Sequence, residues 1–353
     1  MKKITHGGNI WELVEKYKFN LNEIIDFSSN INPFFDFSKI KKIIYSSLDE
    51  ICFYPEIEYR KTREKIAEKF GLNYKNILLG NGSIELVYIL PKSLNFKKTL
   101  ILIPTFSEYE RAVRLNGGNI LFFEMKEKNN FKINLNEILK FINDFDSIFI
   151  CNPNNPTGTF IEKEEILNIS KKINDKFIII DEAFIDFTDK ETMATEVNKI
   201  KNILVLRTLT KIFPIPGVRI GYLCGNEDLI KKIEEFQYPW NVNTFAKNLI
   251  EYLIYQDLRK IKEKIKKEKE YLYENLKNIG GIKVFKGEGN FLLIKIEKER
   301  DLKKVIEKLK VKKILVRDCS NIKGLYGNFI RISVRKREEN KKLLKELKCI
   351  LCQ

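Results

Sequence analysis

Lys211 follows an apolar run, Ile203-Leu-Val-Leu-Arg207, and is flanked by hydroxyls at Thr208 and Thr210. A lysine just past a buried strand stands where open α/β sheets gather their ligands. Pro214 and Pro216 stiffen the turn beyond it, Gly217 lets the backbone pass close to another group, and Arg219 adds a planar cation suited to phosphate. Alone, this loop is as well explained by surface charge. Four other stretches carry complementary groups. Gly80-Asn81-Gly82-Ser83-Ile84 reads as a strand end, a glycine turn and a helix start, whose bare amides bind phosphate or simply make a tight turn. Phe106 offers an aromatic face or core packing, and Asn155 a side-chain amide. Asp181 ends the run Phe177-Ile-Ile-Ile180, either as a turn cap or as a buried carboxylate that needs a cationic partner.

Together these groups suit one cofactor chemistry. A lysine amine forms a Schiff base with an aldehyde, and a carboxylate at a pyridine nitrogen makes the ring an electron sink. On this reading Lys211 and Asp181 are the catalytic pair. The cofactor phosphate takes the Gly80–Ile84 amides, Thr208 or Thr210, and Arg219. Phe106 covers one ring face, and Asn155 donates to the ring's phenolic oxygen.

Such a site requires strands that end on one rim. Apolar runs at 77–79, 99–103, 119–123, 147–151, 177–181, 203–207 and 220–223 predict about seven strands, with helical periodicity between most of them at 107–116, 135–143 and 163–174. Continuously apolar strands alternating with helices predict an α/β layer with a largely parallel sheet. The remainder, with a long Lys/Glu helix at about 257–277 and short strands beyond it, predicts a smaller α+β domain. At the N-terminus a helix is expected at 9–18, and Asn30 and Asn32 sit in a loop where turn capping is their ordinary use.

The chain has 353 residues, enough for two lobes, and a formal charge of +16 from 64 Lys+Arg against 48 Asp+Glu. The excess is read as a solvated surface that also favours anionic substrates; nucleic-acid partners are not expected. No apolar run reaches the ~18 residues of a membrane span, and the N-terminus lacks the apolar core of a secretion signal, so a cytoplasmic protein is expected. Reduced cysteines suit that compartment, and the CxxC spacing of Cys349 and Cys352 lacks the second pair of a zinc site. His6 is the only histidine, which rules out a multi-histidine metal site; no metal is expected.

The sequence resembles the fold type I pyridoxal-phosphate enzymes of the aminotransferase class I/II group over nearly its whole length. The matching pieces are Gly80-Asn-Gly82, Pro104-Thr-Phe-Ser-Glu-Tyr109, Pro153-Asn-Asn-Pro-Thr-Gly158, Asp181-Glu-Ala-Phe184, Thr208-Leu-Thr-Lys211 and Gly217-Val-Arg219. Within the group, His6-Gly-Gly-Asn9, Asp26–Pro33, Pro239-Trp240 and Ile314–Asn321 are similar to cobalamin-pathway threonine-phosphate decarboxylases; histidinol-phosphate aminotransferases are next. Phe184 departs from the aminotransferase pattern, where a tyrosine usually stands. The resemblance implies pyridoxal 5'-phosphate as cofactor and a large domain at 46–245. It implies a small domain from 1–45 and 246–353. It also implies a homodimer in which Tyr54 reaches the neighbouring active site, and a substrate pocket formed by His6, Gly7, Asn30, Asn155, Arg317 and Arg331. Arg331 is the implied carboxylate clamp. Arg317 and the His6-Gly7 turn are suited to a substrate phosphate.

Overall fold

The computed structural model describes residues 6–297 and 300–351; Cys352 of the CxxC pair lies outside them. Seven strands form the main sheet: β1 (Ile77–Asn81), β2 (Lys98–Ile103), β3 (Asn119–Glu124), β4 (Ser147–Cys151), β5 (Phe177–Asp181), β6 (Ile203–Thr208) and β7 (Ile220–Cys224). Their order is β1-β7-β6-β5-β4-β2-β3. All run the same way except β7, which is antiparallel to both neighbours. The apolar runs are continuous because both sheet faces are covered. Alternate residues feed two cores: Leu100, Ile148, Ile178 and Val205 enter one, and Ile101, Phe149, Ile179 and Leu204 the other.

Reversal of β7 bears on function. Six strands deliver their carboxyl ends to one rim, and the reversed strand delivers its amino end there, so Arg219, which precedes β7, reaches the same rim as Lys211, which follows β6.

Among the helices that serve the site, α1 (Ile10–Tyr17) belongs to the N-terminal arm, and α2 (Ser83–Ser93) and α3 (Glu108–Leu115) follow β1 and β2. α2 runs through Pro91. Proline is tolerated because it stands in the last turn and costs one backbone bond. The stretch Leu135–Asp144, expected as an ordinary helix, is 3-10 in character and kinked at Phe141. The long charged helix is Arg259–Lys277.

Beyond it, β8 (Ile282–Phe285), β9 (Phe291–Ile296), β10 (Arg317–Asp318) and β11 (Asn328–Ser333) make an antiparallel sheet in the order β10-β11-β9-β8. The arm joins this C-terminal region: Ile25–Asp26 pairs in parallel with Ile314–Leu315, and Ser333 N donates to Phe27 O at 2.8 Å. Residues far apart in sequence thus form one edge of the site. Among the described residues no helix is long and apolar enough to cross a membrane.

One buried ion cluster braces the rim from below. Arg207, 3% exposed, lies 2.8 Å from Glu182 and 2.6 Å from Asp186. Glu182 also accepts from Met193 N at 2.7 Å. Arg207→Met is expected to cost about 3–5 kcal/mol, because it strands two carboxylates away from water. An unchanged chemical-denaturation midpoint would contradict this.

Candidate active site

A cavity of about 490 Å³ opens at the rim where the strand ends meet. Lys211, Asp181, Asn155, Phe106, Thr208, Thr210, Arg219, Gly82, Ser83 and Ile84 line it, as do His6, Gly7, Asn30, Arg317 and Arg331. Residues from both ends of the chain therefore share one space.

Gly82 precedes the first turn of α2, which has no side-chain cap. Its φ is +75°, and a Cβ there would sit 2.4 Å from the Arg219 guanidinium. Glycine is needed both for the left-handed backbone and for that close approach. Arg219 itself holds φ 64°, a costly conformation for a non-glycine residue, and donates to Pro216 O at 2.9 Å. Across β7, a Cβ at Gly221 would lie 2.0 Å from Ser83 N. The uncapped helix end and the guanidinium are thus pressed together, the usual elements of a phosphate cup. Thr208 donates to Ile220 O at 2.8 Å and lies 2.9 Å from the Thr210 hydroxyl, which completes the wall.

Two glycine-turn residues do not line the cavity. Gly80 lies within β1 against Leu86. Asn81 N–H is donated to Glu85 at 2.5 Å, so it is not available to a phosphate. Amides from Gly82 onward are the ones that face the cup.

Asp181 is buried at the end of β5. It accepts from the Tyr109 hydroxyl at 2.6 Å and from Ala183 N at 3.0 Å. Burial pushes its carboxyl up, against the lowering effect of those two donors. Among the described residues it makes no ion pair, so the cation expected beside it is not supplied by the protein. Tyr109 was not singled out from the sequence. It lay within the quoted Pro104–Tyr109 stretch, but only the fold aims its hydroxyl at Asp181.

Lys211 is half-buried, and its ammonium is pushed down to about 8 by burial, then by the Arg331 and Arg219 guanidiniums. The arm grips this segment: Asn32 N donates to Lys211 O at 3.0 Å, and Asn32 Nδ2 to Ile212 O at 2.7 Å. Turn capping was the ordinary reading for Asn32, and its Oδ1 does accept from Phe34 N at 2.8 Å; its amide nitrogen adds a tertiary brace.

Arg331 lies on β11, 7% exposed. It donates to Asn155 Oδ1 and, at 2.6 Å, to Ser28 O. Asn155's carbonyl is thereby occupied and its NH2 group is left as the donor. Arg317, also buried, donates to Asn321 at 2.9 Å. Asn30 is 2% exposed, and neither of its side-chain polar atoms has a partner among the described residues. A buried amide without partners costs stability unless a ligand satisfies it. Gly7 lies so close to Ser28 that a Cβ would stand 2.1 Å from its carbonyl. Phe184 is buried, edge-on to Phe291 at 5.0 Å, and brings no hydroxyl to the cavity wall.

Tyr54 is elsewhere. It is 79% exposed, stacked on Trp240 at 4.5 Å, and does not line this cavity.

These features fit pyridoxal 5'-phosphate. The cup suits its phosphate, the uncompensated Asp181 a protonated ring nitrogen, the Asn155 NH2 a phenolic oxygen, and Lys211 an aldehyde carbon.

The model of the family "Aminotransferase class I and II" matches residues 22–347. A Caldanaerobacter subterraneus protein, provisionally named threonine-phosphate decarboxylase, is 38% identical over 335 residues, covering 92% of this chain and 88% of that one. A histidinol-phosphate aminotransferase of Clostridium novyi is 35% identical over 308 residues, covering 84% of this chain and 83% of that one. The crystal structure of L-threonine-O-3-phosphate decarboxylase from Porphyromonas gingivalis superposes with a TM-score of 0.84 at 25% identity, covering 93% of this chain and 99% of that one.

Proposed function

The chain belongs to the aminotransferase class I and II family, and from that premise we propose that it decarboxylates L-threonine O-3-phosphate to (R)-1-amino-2-propanol O-2-phosphate, a step of cobalamin side-chain synthesis. The observation that carries this reading is the substrate end of the cavity. There Arg317, Arg331 and the unsatisfied amide of Asn30 stand under an arm held down by the Gly7–Ser28 contact. Two buried guanidiniums suit a ligand with two anionic groups, and phosphothreonine has a carboxylate and a phosphate.

Pyridoxal 5'-phosphate, when bound, supplies an electron sink conjugated to the substrate's α-carbon. Asp181 keeps the ring nitrogen protonated, and Tyr109 keeps Asp181 in place. Lys211 would be the residue that anchors the cofactor through its aldehyde carbon. With its ammonium near pKa 8, Lys211 then has a proton to return to the α-carbon once carbon dioxide has left. Arg331 binds the substrate carboxylate, and Arg317 with His6 and Gly7 the phosphate. Which α-carbon bond breaks depends on the pose those groups impose. Phe184 supports the decarboxylase reading, because it gives the cavity no hydroxyl where the aminotransferase pattern has one.

Purified protein incubated with phosphothreonine is expected to release carbon dioxide. Its absence, together with 2-oxoglutarate-dependent glutamate formation from histidinol phosphate, would replace this reading by histidinol-phosphate transamination.

A second copy of the chain is the proposed partner. Phe53, Tyr54 and Tyr238 are each more than 70% exposed, and Tyr54 stacks on the part-exposed Trp240, the kind of aromatic surface that marks an interface. Tyr54 would cross there to the neighbouring cofactor. Mixing Tyr54→Ala and Lys211→Ala chains is expected to restore about a quarter of wild-type activity, since random pairing makes half the dimers hybrids with one intact site each. No recovery would place Tyr54 in its own subunit's chemistry or in none.

A further inference from the structure

Glu108 is a buried carboxylate, 4% exposed, in the wall of a cavity built for anions. No role above uses it. An uncompensated negative charge there would repel the ligand, so its surroundings are informative. Tyr88, on α2, donates its hydroxyl to Glu108 Oε2, and Arg111, one turn along α3, lies 3.7 Å from that oxygen. The other oxygen, Oε1, makes no hydrogen bond within the described residues, but His6 Nε2 stands 2.9 Å away. The His6 ring also lies against Phe106, with centroids 5.9 Å apart. Gly8 N donates to the Ser28 hydroxyl at 2.6 Å, which fixes the chain just beyond the histidine.

We infer that Glu108 is a positioning residue that holds the His6 imidazole at the cavity wall, so that the arm closes the phosphate end of the substrate pocket. With Nε2–H turned to the carboxylate, Nδ1 is the nitrogen that faces a ligand oxygen, donating to it as the imidazolium or accepting from a phosphate hydroxyl as the neutral ring. A carboxylate behind an imidazole fixes both the ring's orientation and Nε2 as the nitrogen that carries the proton in the neutral ring. Tyr88 and Arg111 hold Glu108 in place and prevent it from swinging into the pocket. The sequence places Glu108 102 residues from His6, and only the fold joins them. This inference rests on the proposed phosphate-bearing substrate for its ligand, but not on which reaction follows.

The test uses the cofactor-loaded protein and Glu108→Gln, which keeps the shape and an acceptor for Tyr88. His6 is the only histidine in the chain, so its ring-proton NMR signal is unambiguous. Titrating inorganic phosphate should shift that signal saturably in the wild type. In Glu108→Gln about tenfold more phosphate should be needed, the size of effect expected for losing a charge-assisted contact. KM for phosphothreonine should rise by a similar factor, more than kcat falls. His6→Asn should weaken phosphate binding comparably, and the double variant should be no worse than His6→Asn alone. Tyr88→Phe serves as a second variant should Glu108→Gln fold poorly, and should weaken phosphate binding in the same direction. Additive effects of Glu108→Gln and His6→Asn would overturn the inference, as would a loss confined to kcat or unchanged phosphate affinity. If phosphothreonine is not turned over but phosphate binding still depends on Glu108, the reaction assignment fails and this inference stands.

Discussion

Lys211→Ala is expected to reduce turnover by at least about 10⁴-fold, because on the proposed mechanism one side chain provides both the covalent anchor and the proton carrier. The motivating geometry is an amine at the β6 end between two guanidiniums, inside a cavity that also presents Asp181 and a phosphate cup. Borohydride reduction of the loaded wild type should leave a cofactor mass on the peptide containing Lys211, and the variant should show none. A labelled peptide elsewhere would remove Lys211 from the mechanism. The pH dependence of loading follows from the same surroundings. Only the neutral amine attacks an aldehyde. With its pKa near 8 instead of 10.5, half the Lys211 side chains are neutral at pH 8, against roughly one in 300 for an unperturbed lysine. The rate at which apoprotein captures pyridoxal 5'-phosphate should therefore rise with pH and level off just above 8. A rate still climbing through pH 10 would show that burial and the arginines do not depress the amine.

Asp181→Asn should lower kcat on the order of 10²–10³-fold, the usual loss when one preorganised electrostatic partner is removed. Asparagine keeps the size; its single oxygen can still accept from Ala183 N, while its NH2 group faces the Tyr109 hydroxyl, whose oxygen can accept instead, so the wall should survive. What disappears is the negative charge that keeps a ring nitrogen protonated. The spectrum of the bound cofactor should shift while its stoichiometry is retained in excess cofactor. Near-normal turnover would mean that the ring nitrogen is held by another group.

Asp181 also marks how far sequence reasoning reaches. Its position after Phe177-Ile-Ile-Ile180 is legible, because four apolar residues in a row specify a strand buried on both faces, and a carboxylate ending it is conspicuous. Its partner was expected to be a cation. The protein instead supplies a hydroxyl from α3, since helix phase after β2, which no local pattern specifies, aims Tyr109 at the β5 end. Glu108 escaped notice for the same reason. One acidic residue in a helix's first turn is ordinary; buried against Tyr88 and His6, it is not. Asn81 illustrates the converse. It sits in the glycine turn, yet strand geometry sends its amide to Glu85.

The sequence by itself determined the strand-helix alternation, the apolar character of the sheet, and the chemical kinds gathered at its rim: an amine, a carboxylate, an amide, an aromatic ring and a glycine turn. These are local properties, since periodicity and turn chemistry act over a few residues. Only the tertiary structure decided that β7 runs backwards and so brings Arg219 to Gly82, that the arm braces Lys211 through Asn32, and that Arg331 meets Asn155. Such contacts join segments far apart in sequence, 176 residues between Arg331 and Asn155 and 303 between Arg331 and Ser28. They depend on strand order and on the docking of the C-terminal sheet, which emerge from packing the whole chain and not from any window of it.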